Sequence, residues 1–136
     1  MKIYFAGSIR GGRGDREIYG QIITILQNYG QVLTEHIADA KISSYGQTNM
    51  TDVEIYTKDV NWIKEADIVV AEVTNPSLGV GYELGFAESL GKKIIALYRK
   101  SEDKRLSAMI AGNKNINYVE YKEVSDLLEI FVNILK

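Results

Sequence analysis

The sequence predicts an α/β fold: one domain with a mostly parallel sheet covered by helices. Three observations point there. Strand-like and helix-like segments alternate almost throughout the chain. The strongest strand candidate, DIVVAEV, carries Ile68, Val69 and Val70 in succession, as a central parallel strand covered on both faces requires. The glycine-rich and polar segments follow strands, where ligands sit in such sheets.

Lys2 to Ala6 reads as a buried strand, followed by the loop GSIRGGRGD. Asp15 is placed to cap a helix running to about Tyr29, with Ile18, Ile22, Ile25, Leu26 and Tyr29 on one face and Gly30 as its stop. Val32 and Leu33 mark a short second strand. Thr34 to Asn49 lacks a clear period and reads as a long loop. Thr51 and Glu54 have capping-box spacing and open a helix expected to bury Val53, Tyr56, Val60 and Ile63. Asp67 to Val73 is the third strand and TNPSLGVG the loop after it. YELGFAESLG reads as a helix ending at Gly91, and Lys92 to Tyr98 as the fourth strand. A short helix around Leu106 to Ile110, a strand at Asn117 to Tyr121 and a helix from about Val124 complete the chain. That last helix is expected to turn Leu127, Leu128, Phe131, Ile134 and Leu135 inward.

At 136 residues the chain is long enough for one substantial core, burying roughly two-thirds of its unfolded surface. Its 16 basic and 18 acidic residues give a net charge of -2, without the basic excess expected of a nucleic-acid binder. The absence of cysteine excludes disulfides and thiolate metal sites. The opening apolar run is too short for a signal peptide, and no stretch approaches the roughly 20 apolar residues of a membrane span. A cytoplasmic protein without membrane or nucleic-acid polymer partners is therefore expected.

The candidate chemistry lies in the loops. In GSIRGGR, Gly7, Gly11 and Gly12 leave backbone N–H groups unobstructed, Ser8 adds a hydroxyl, and Arg10 and Arg13 add charge-assisted donors. The segment matches neither the P-loop nor GxGxxG, so a phosphate cradle and a plain tight turn both fit it. In SLGVGYELG, Gly79 and Gly81 permit close approach, and Glu83 falls in the first turn of the expected helix. A carboxylate there is favoured in its ionised form by the helix dipole, whether it catalyses or only stabilises the helix. Asp59 lies one turn from Tyr56 and Ile63, and pattern alone leaves it facing either solvent or the interior. Two carboxylates on separate elements suit glycosidic cleavage, with one as nucleophile and another group moving the proton. His36, the single histidine, cannot make a zinc site by itself and suits hydrogen bonding or packing. Trp62 and most tyrosines read as packing, while Tyr4 stands just before the glycine loop.

The segments YFAGSIRGGRGDREIYG, VLTEH, KDVNWIKEADIVVAEVTNPSLGVGYELG and LSAMI resemble the 2'-deoxynucleoside 5'-monophosphate N-glycosidases, which belong with the nucleoside 2-deoxyribosyltransferases. The resemblance covers nearly the whole chain in one order. It implies a Rossmann-like fold, a homodimer, no cofactor and no metal. It implies cleavage of the bond between deoxyribose and base, giving free base and deoxyribose 5-phosphate. By the same resemblance Glu83 is the nucleophile, Asp59 the assisting acid and Tyr4 an active-site tyrosine. Ser8, Ile9, Arg10, Gly11, Gly12 and Arg13, with Gly7 before them, form the nucleotide-binding loop. Ser77, close to Gly79, contacts phosphate, Ser107 enters the neighbouring subunit's site, and His36 lies near the ligand. Anion-binding residues argue against the transferase branch, which binds a 5'-hydroxyl. Deoxyribosyl transfer between bases, a ribonucleotide N-glycosidase of the CMP type and a nucleotide sensor without turnover remain as alternatives.

Overall fold

The computed structural model describes residues 1–9, 13–34 and 50–135, with the side chains of residues 13 and 14 outside the description. The element order is β1 (Lys2–Gly7), α1 (Arg13–Leu26), β2 (Gln31–Val32), α2 (Asp52–Glu65), β3 (Ile68–Glu72), α3 (Leu78–Ser89), β4 (Lys93–Tyr98), α4 (Ala108–Ala111), β5 (Asn117–Glu120) and α5 (Asp126–Ile134). The five strands form one sheet in the order β2-β1-β3-β4-β5. Every pairing in it is parallel, with Ile3 against Ile68 and Val69 against Ile94. The parallel α/β class read from the alternating pattern, and the Rossmann-like fold that the resemblance implies, are the ones observed.

The continuous apolar runs follow from burial on both faces. Along β1, Ile3 and Phe5 enter one core while Tyr4 and Ala6 enter the other. Along β3, Ile68 and Val70 face the first core, and Val69 and Ala71 the second. Tyr19, Ile22 and Leu26 of α1 and Leu127 and Phe131 of α5 close the first. Ile63 of α2 and Val80, Leu84 and Ala87 of α3 close the second. Fully burying an aliphatic or aromatic side chain of this size contributes about 1.5–3 kcal/mol.

β2 is only two residues long, so β1 loses its outer neighbour after Ile3. The Thr34 hydroxyl fills the gap: it accepts from Phe5 N at 2.8 Å and donates to Phe5 O at 2.6 Å. The residues after it, 35–49, lie outside the described residues.

Several local expectations are corrected. The Thr51–Glu54 capping box forms, with Glu54 N donating to Thr51 Oγ1 at 3.2 Å. The helix it starts, however, presents a different stripe: Val53 and Tyr56 are exposed, at 74% and 54%, while Ile63 is buried and Asp59 partly so. α3 begins at Leu78, four residues before the expected start, because Ser77 caps it by accepting from Val80 N at 3.2 Å. Gly79 and Gly81 read as loop residues, yet a capped helix on a packed face tolerates them. Gly91 ends the element as expected, at φ 71°, a conformation that disfavours any side chain. α1 begins ahead of Asp15, which therefore sits in the first turn and does not cap it. Leu128 of α5 is exposed because the packed stripe runs through Leu127, Phe131 and Leu135, with Ile130 and Ile134 packed at its flanks.

Candidate active site

α1, which follows β1, packs on one face of the sheet, while α3, which follows β3, packs on the other. Since β1 and β3 are neighbours, their chains diverge beyond the carboxyl ends and open a crevice there. α2 forms the crevice's outer wall. The cleft has a volume of about 580 Å³ and is lined by Gly7 at the end of β1 with Ser8 and Ile9 just beyond it, Asp59 from α2, and Ser77, Gly79 and Glu83 from α3 and its cap. Seven of the residues read from the sequence thus meet in one place. Ile55, Val60 and Ile63 give the wall an apolar stretch, and Tyr56 and Tyr82 stand at its edge with their hydroxyls 3.5 Å apart.

Tyr4 lies beneath this surface. Its side chain is buried in the sheet, and its hydroxyl donates a hydrogen bond to Glu83 Oε2. Desolvation, reinforced by the Glu83 and Asp59 charges, pushes the Tyr4 hydroxyl far above its ordinary range, so it remains a donor. Glu83 is in the second turn of α3 and not the first, which removes most of the dipole's stabilisation. Burial dominates instead and pushes its carboxyl up to about 7; the Tyr4 hydrogen bond opposes this and the Asp59 charge adds to it. Asp59 is also raised, by burial first, against the lowering effect of Lys58. Two desolvated carboxyls facing one cleft therefore hold protons more readily than free carboxyls do. One can be ionised while its neighbour remains a proton donor.

Gly7 is required where it stands, because a Cβ would lie 2.8 Å from the Tyr19 ring. Ser8 N donates to the Tyr19 hydroxyl at 3.1 Å, so the end of β1 rests on that ring. Ser77 uses its oxygen as acceptor from Val80 N and keeps a hydroxyl hydrogen for a ligand. Arg10, Gly11, Gly12 and His36 lie outside the described residues. The backbone of Arg13 opens α1, and its side chain is not described. Ser107 does not reach the Glu83 cleft of its own chain. It caps α4, accepting from Met109 N at 3.2 Å, and lines a second cleft of about 490 Å³. Ser77 lines both clefts. No group of three or more His, Cys, Asp or Glu among the described residues is arranged to hold a metal ion.

Sequence reasoning missed the cluster of Asp15, Glu72, Thr74, Asn75, Arg99 and Tyr121 at the carboxyl edge of the sheet. Its signal was present: Glu72 interrupts an apolar strand and is 0% exposed.

A parallel Rossmann-like sheet with a two-carboxyl cleft at its switch point defines a class of enzyme before any particular member. The chain belongs to the nucleoside 2-deoxyribosyltransferase family, whose profile matches residues 3–121. Among its relatives, the 5-hydroxymethyl-dUMP N-hydrolase of Rattus norvegicus is 54% identical over 111 residues, covering 81% of this chain and 68% of that protein. The 5-hydroxymethyl-dUMP N-hydrolase of Danio rerio is 47% identical over 140 residues, covering 99% of this chain and 98% of that protein. A solved CMP N-glycosidase of Clostridium botulinum superposes with a TM-score of 0.70 at 20% identity, covering 99% of this chain and 100% of that one, and shares the fold. The chain is accordingly an enzyme of N-glycosidic bond cleavage. Among the described residues, no helix is long and apolar enough to cross a membrane.

Proposed function

We propose that this enzyme hydrolyses the N-glycosidic bond of 2'-deoxynucleoside 5'-monophosphates, releasing free base and 2-deoxyribose 5-phosphate. The observation that carries the reading is the Tyr4-held Glu83 in one cleft with Asp59, beside the anion-binding groups of Ser8 and Ser77. The names of the rat and zebrafish relatives support it. Glu83, as carboxylate, attacks the anomeric carbon while the C–N bond breaks. The base leaves with the bonding electron pair and takes a proton from Asp59. Water then attacks the glycosyl ester, Asp59 recovers a proton from it, and Glu83 is released. Tyr4 holds the Glu83 carboxylate in position throughout.

The 5'-phosphate is held by the Gly7 to Arg13 loop, by Ser77, and by Ser107 of the partner subunit. His36 lies near the ligand. Support for a two-fold dimer comes from the surface around the clefts: Leu78 is 97% and Met109 83% exposed, close in the fold to the exposed Tyr56 and Tyr82. The substrate class belongs to the cytoplasmic nucleotide pool, and the chemistry needs no cofactor or metal.

The direct test is a panel of nucleotides assayed for free base, with and without a second base as acceptor. It should include 5-hydroxymethyl-dUMP, CMP and the deoxynucleosides without phosphate. Base release from deoxynucleoside monophosphates without an acceptor is expected. A strict need for an acceptor would make the chain a transferase, preference for CMP a ribonucleotide glycosidase, and binding without turnover a sensor.

The pH dependence follows from Glu83. Its folded value of about 7 means that the attacking carboxylate is lost as pH falls through neutrality. Below that point kcat/KM is expected to drop about tenfold per pH unit. A profile measured from pH 5 to 9 that stays level down to pH 5 would show that burial does not hold the Glu83 carboxyl up near 7.

A further inference from the structure

Beneath the cleft, on the opposite face of the sheet from Tyr4 and Glu83, one guanidinium joins two buried carboxylates. Arg99, just past the end of β4, donates from Nη2 to Asp15 Oδ1 at 3.0 Å and from Nε to Glu72 Oε2 at 3.3 Å. The side chains of Asp15 and Glu72 are 10% and 0% exposed. Glu72 also accepts from Thr74 N at 2.8 Å, from Thr74 Oγ1 at 2.9 Å and from the Tyr121 hydroxyl. Asp15 accepts a second hydrogen bond from Asn75 Nδ2. The Arg99 backbone N–H donates to Thr74 Oγ1 at 3.0 Å, so the residue grips the β3–α3 loop directly as well as through Glu72.

The placement is informative. Asp15 stands two residues after Arg13, and Asn75 two residues before Ser77. The cluster therefore ties the end of the glycine loop to the start of the α3 cap. A buried ion pair is a poor source of net stability, since apolar residues of equal volume often do as well. It does fix geometry, because a fork of donors meets two acceptors in one orientation.

We infer that Arg99 is a positioning residue for phosphate recognition: by bridging Asp15 and Glu72 it sets the first turn of α1, into which the glycine-rich segment leads, against the β3–α3 loop that carries Ser77. The inference rests on the function proposed above and adds the group that aligns its two anion-binding loops. No hydrogen bond in the cluster reaches Tyr4, Asp59 or Glu83. Its effect should accordingly fall on phosphate affinity and leave bond cleavage nearly intact. Lysine at this position keeps the charge, yet a single ammonium cannot reproduce the two-armed bridge.

The test compares the full chain with Arg99→Lys and Asp15→Asn. Asp15→Asn turns an NH2 against a donor on either Arg99 or Asn75. Each protein is assayed for kcat and KM on deoxyuridine 5'-monophosphate and on deoxyuridine, and for calorimetric binding of 2-deoxyribose 5-phosphate. Both variants are expected to raise the monophosphate KM and the sugar phosphate Kd by about 10- to 100-fold, the scale of an ångström of misplacement. Their kcat should stay within about threefold, and turnover of deoxyuridine should not change. Unchanged KM and Kd would overturn the inference, as would an equal loss on deoxyuridine, which marks general damage. If Arg99→Lys fails to fold, Asp15→Asn decides. If the parent protein binds the sugar phosphate without cleaving any nucleotide, the proposed function fails while the Kd comparison still decides the role of Arg99. If the parent binds no sugar phosphate, both fall.

Discussion

Replacing Glu83 by alanine is expected to lower base release by about four to six orders of magnitude, the scale of deleting a catalytic nucleophile. The same position should show the opposite effect on stability when its charge alone is removed. Glu83→Gln keeps an oxygen for the Tyr4 hydroxyl, so it should still bind nucleotide while turning it over no faster than the alanine variant. The folded carboxyl sits at about 7 against an ordinary 4.5. A raised folded value means that the protonated form is favoured by folding. That benefit is fully present below about 4.5 and is lost as pH rises through 7, so the ionised carboxylate costs on the order of 3 kcal/mol at pH 8. Glu83→Gln should therefore melt higher than the parent at pH 8, with the difference shrinking towards pH 4.5. Near-normal turnover by Glu83→Ala would falsify the covalent mechanism. Equal melting at pH 8 would show that the carboxylate is not desolvated.

A second large effect is expected from mixing two impaired chains. Ser107→Ala alone should lose about 10- to 100-fold, one hydrogen bond to a charged group, and Glu83→Ala should be essentially inactive. In a mixed dimer, the chain that keeps Glu83 receives Ser107 from its neighbour, so one of the two sites has every group. Random exchange at equal concentrations places half the chains in mixed dimers, and total activity should recover to about a quarter of the parent's. The measurement is turnover before and after subunit exchange, with exchange verified by mass. No gain after verified exchange would return Ser107 to its own chain's surroundings, where it lines the 490 Å³ cleft.

How much of this was legible beforehand depended on whether a residue's environment is set locally. β1 and β3 were readable because a strand covered on both faces must be apolar at successive positions, and both are. The Thr51–Glu54 cap was readable because its spacing is short-range, and the α1 stripe only in part: Ile22 and Leu26 are buried as expected, but Tyr19 and Ile23 join them while Ile18, Ile25 and Tyr29 lie at the flanks. α2 was half readable: its existence follows from the cap, but its inward stripe follows from where the cleft lies, which turns Asp59 in and leaves Val53 and Tyr56 out. The α3 start was missed because Gly79 and Gly81 look like loop residues until Ser77 is seen to cap. Pattern alone could not pair Tyr4 with Glu83, since a tyrosine in an apolar strand looks like packing; the family resemblance singled out both residues. The Asp15–Arg99–Glu72 bridge was invisible, because it joins residues brought together only by the strand order.

The shortness of β2 has a consequence at the edge of the sheet. A sheet that stops pairing halfway along a strand exposes a row of unused donors and acceptors, a template onto which a foreign chain can zip. Here that stretch is plugged by one hydroxyl, since Thr34 occupies both the N–H and the carbonyl of Phe5. Among the described residues, Phe5 therefore offers neither its N–H nor its carbonyl to a foreign strand. The truncated strand is followed within two residues by its own guard against unwanted association.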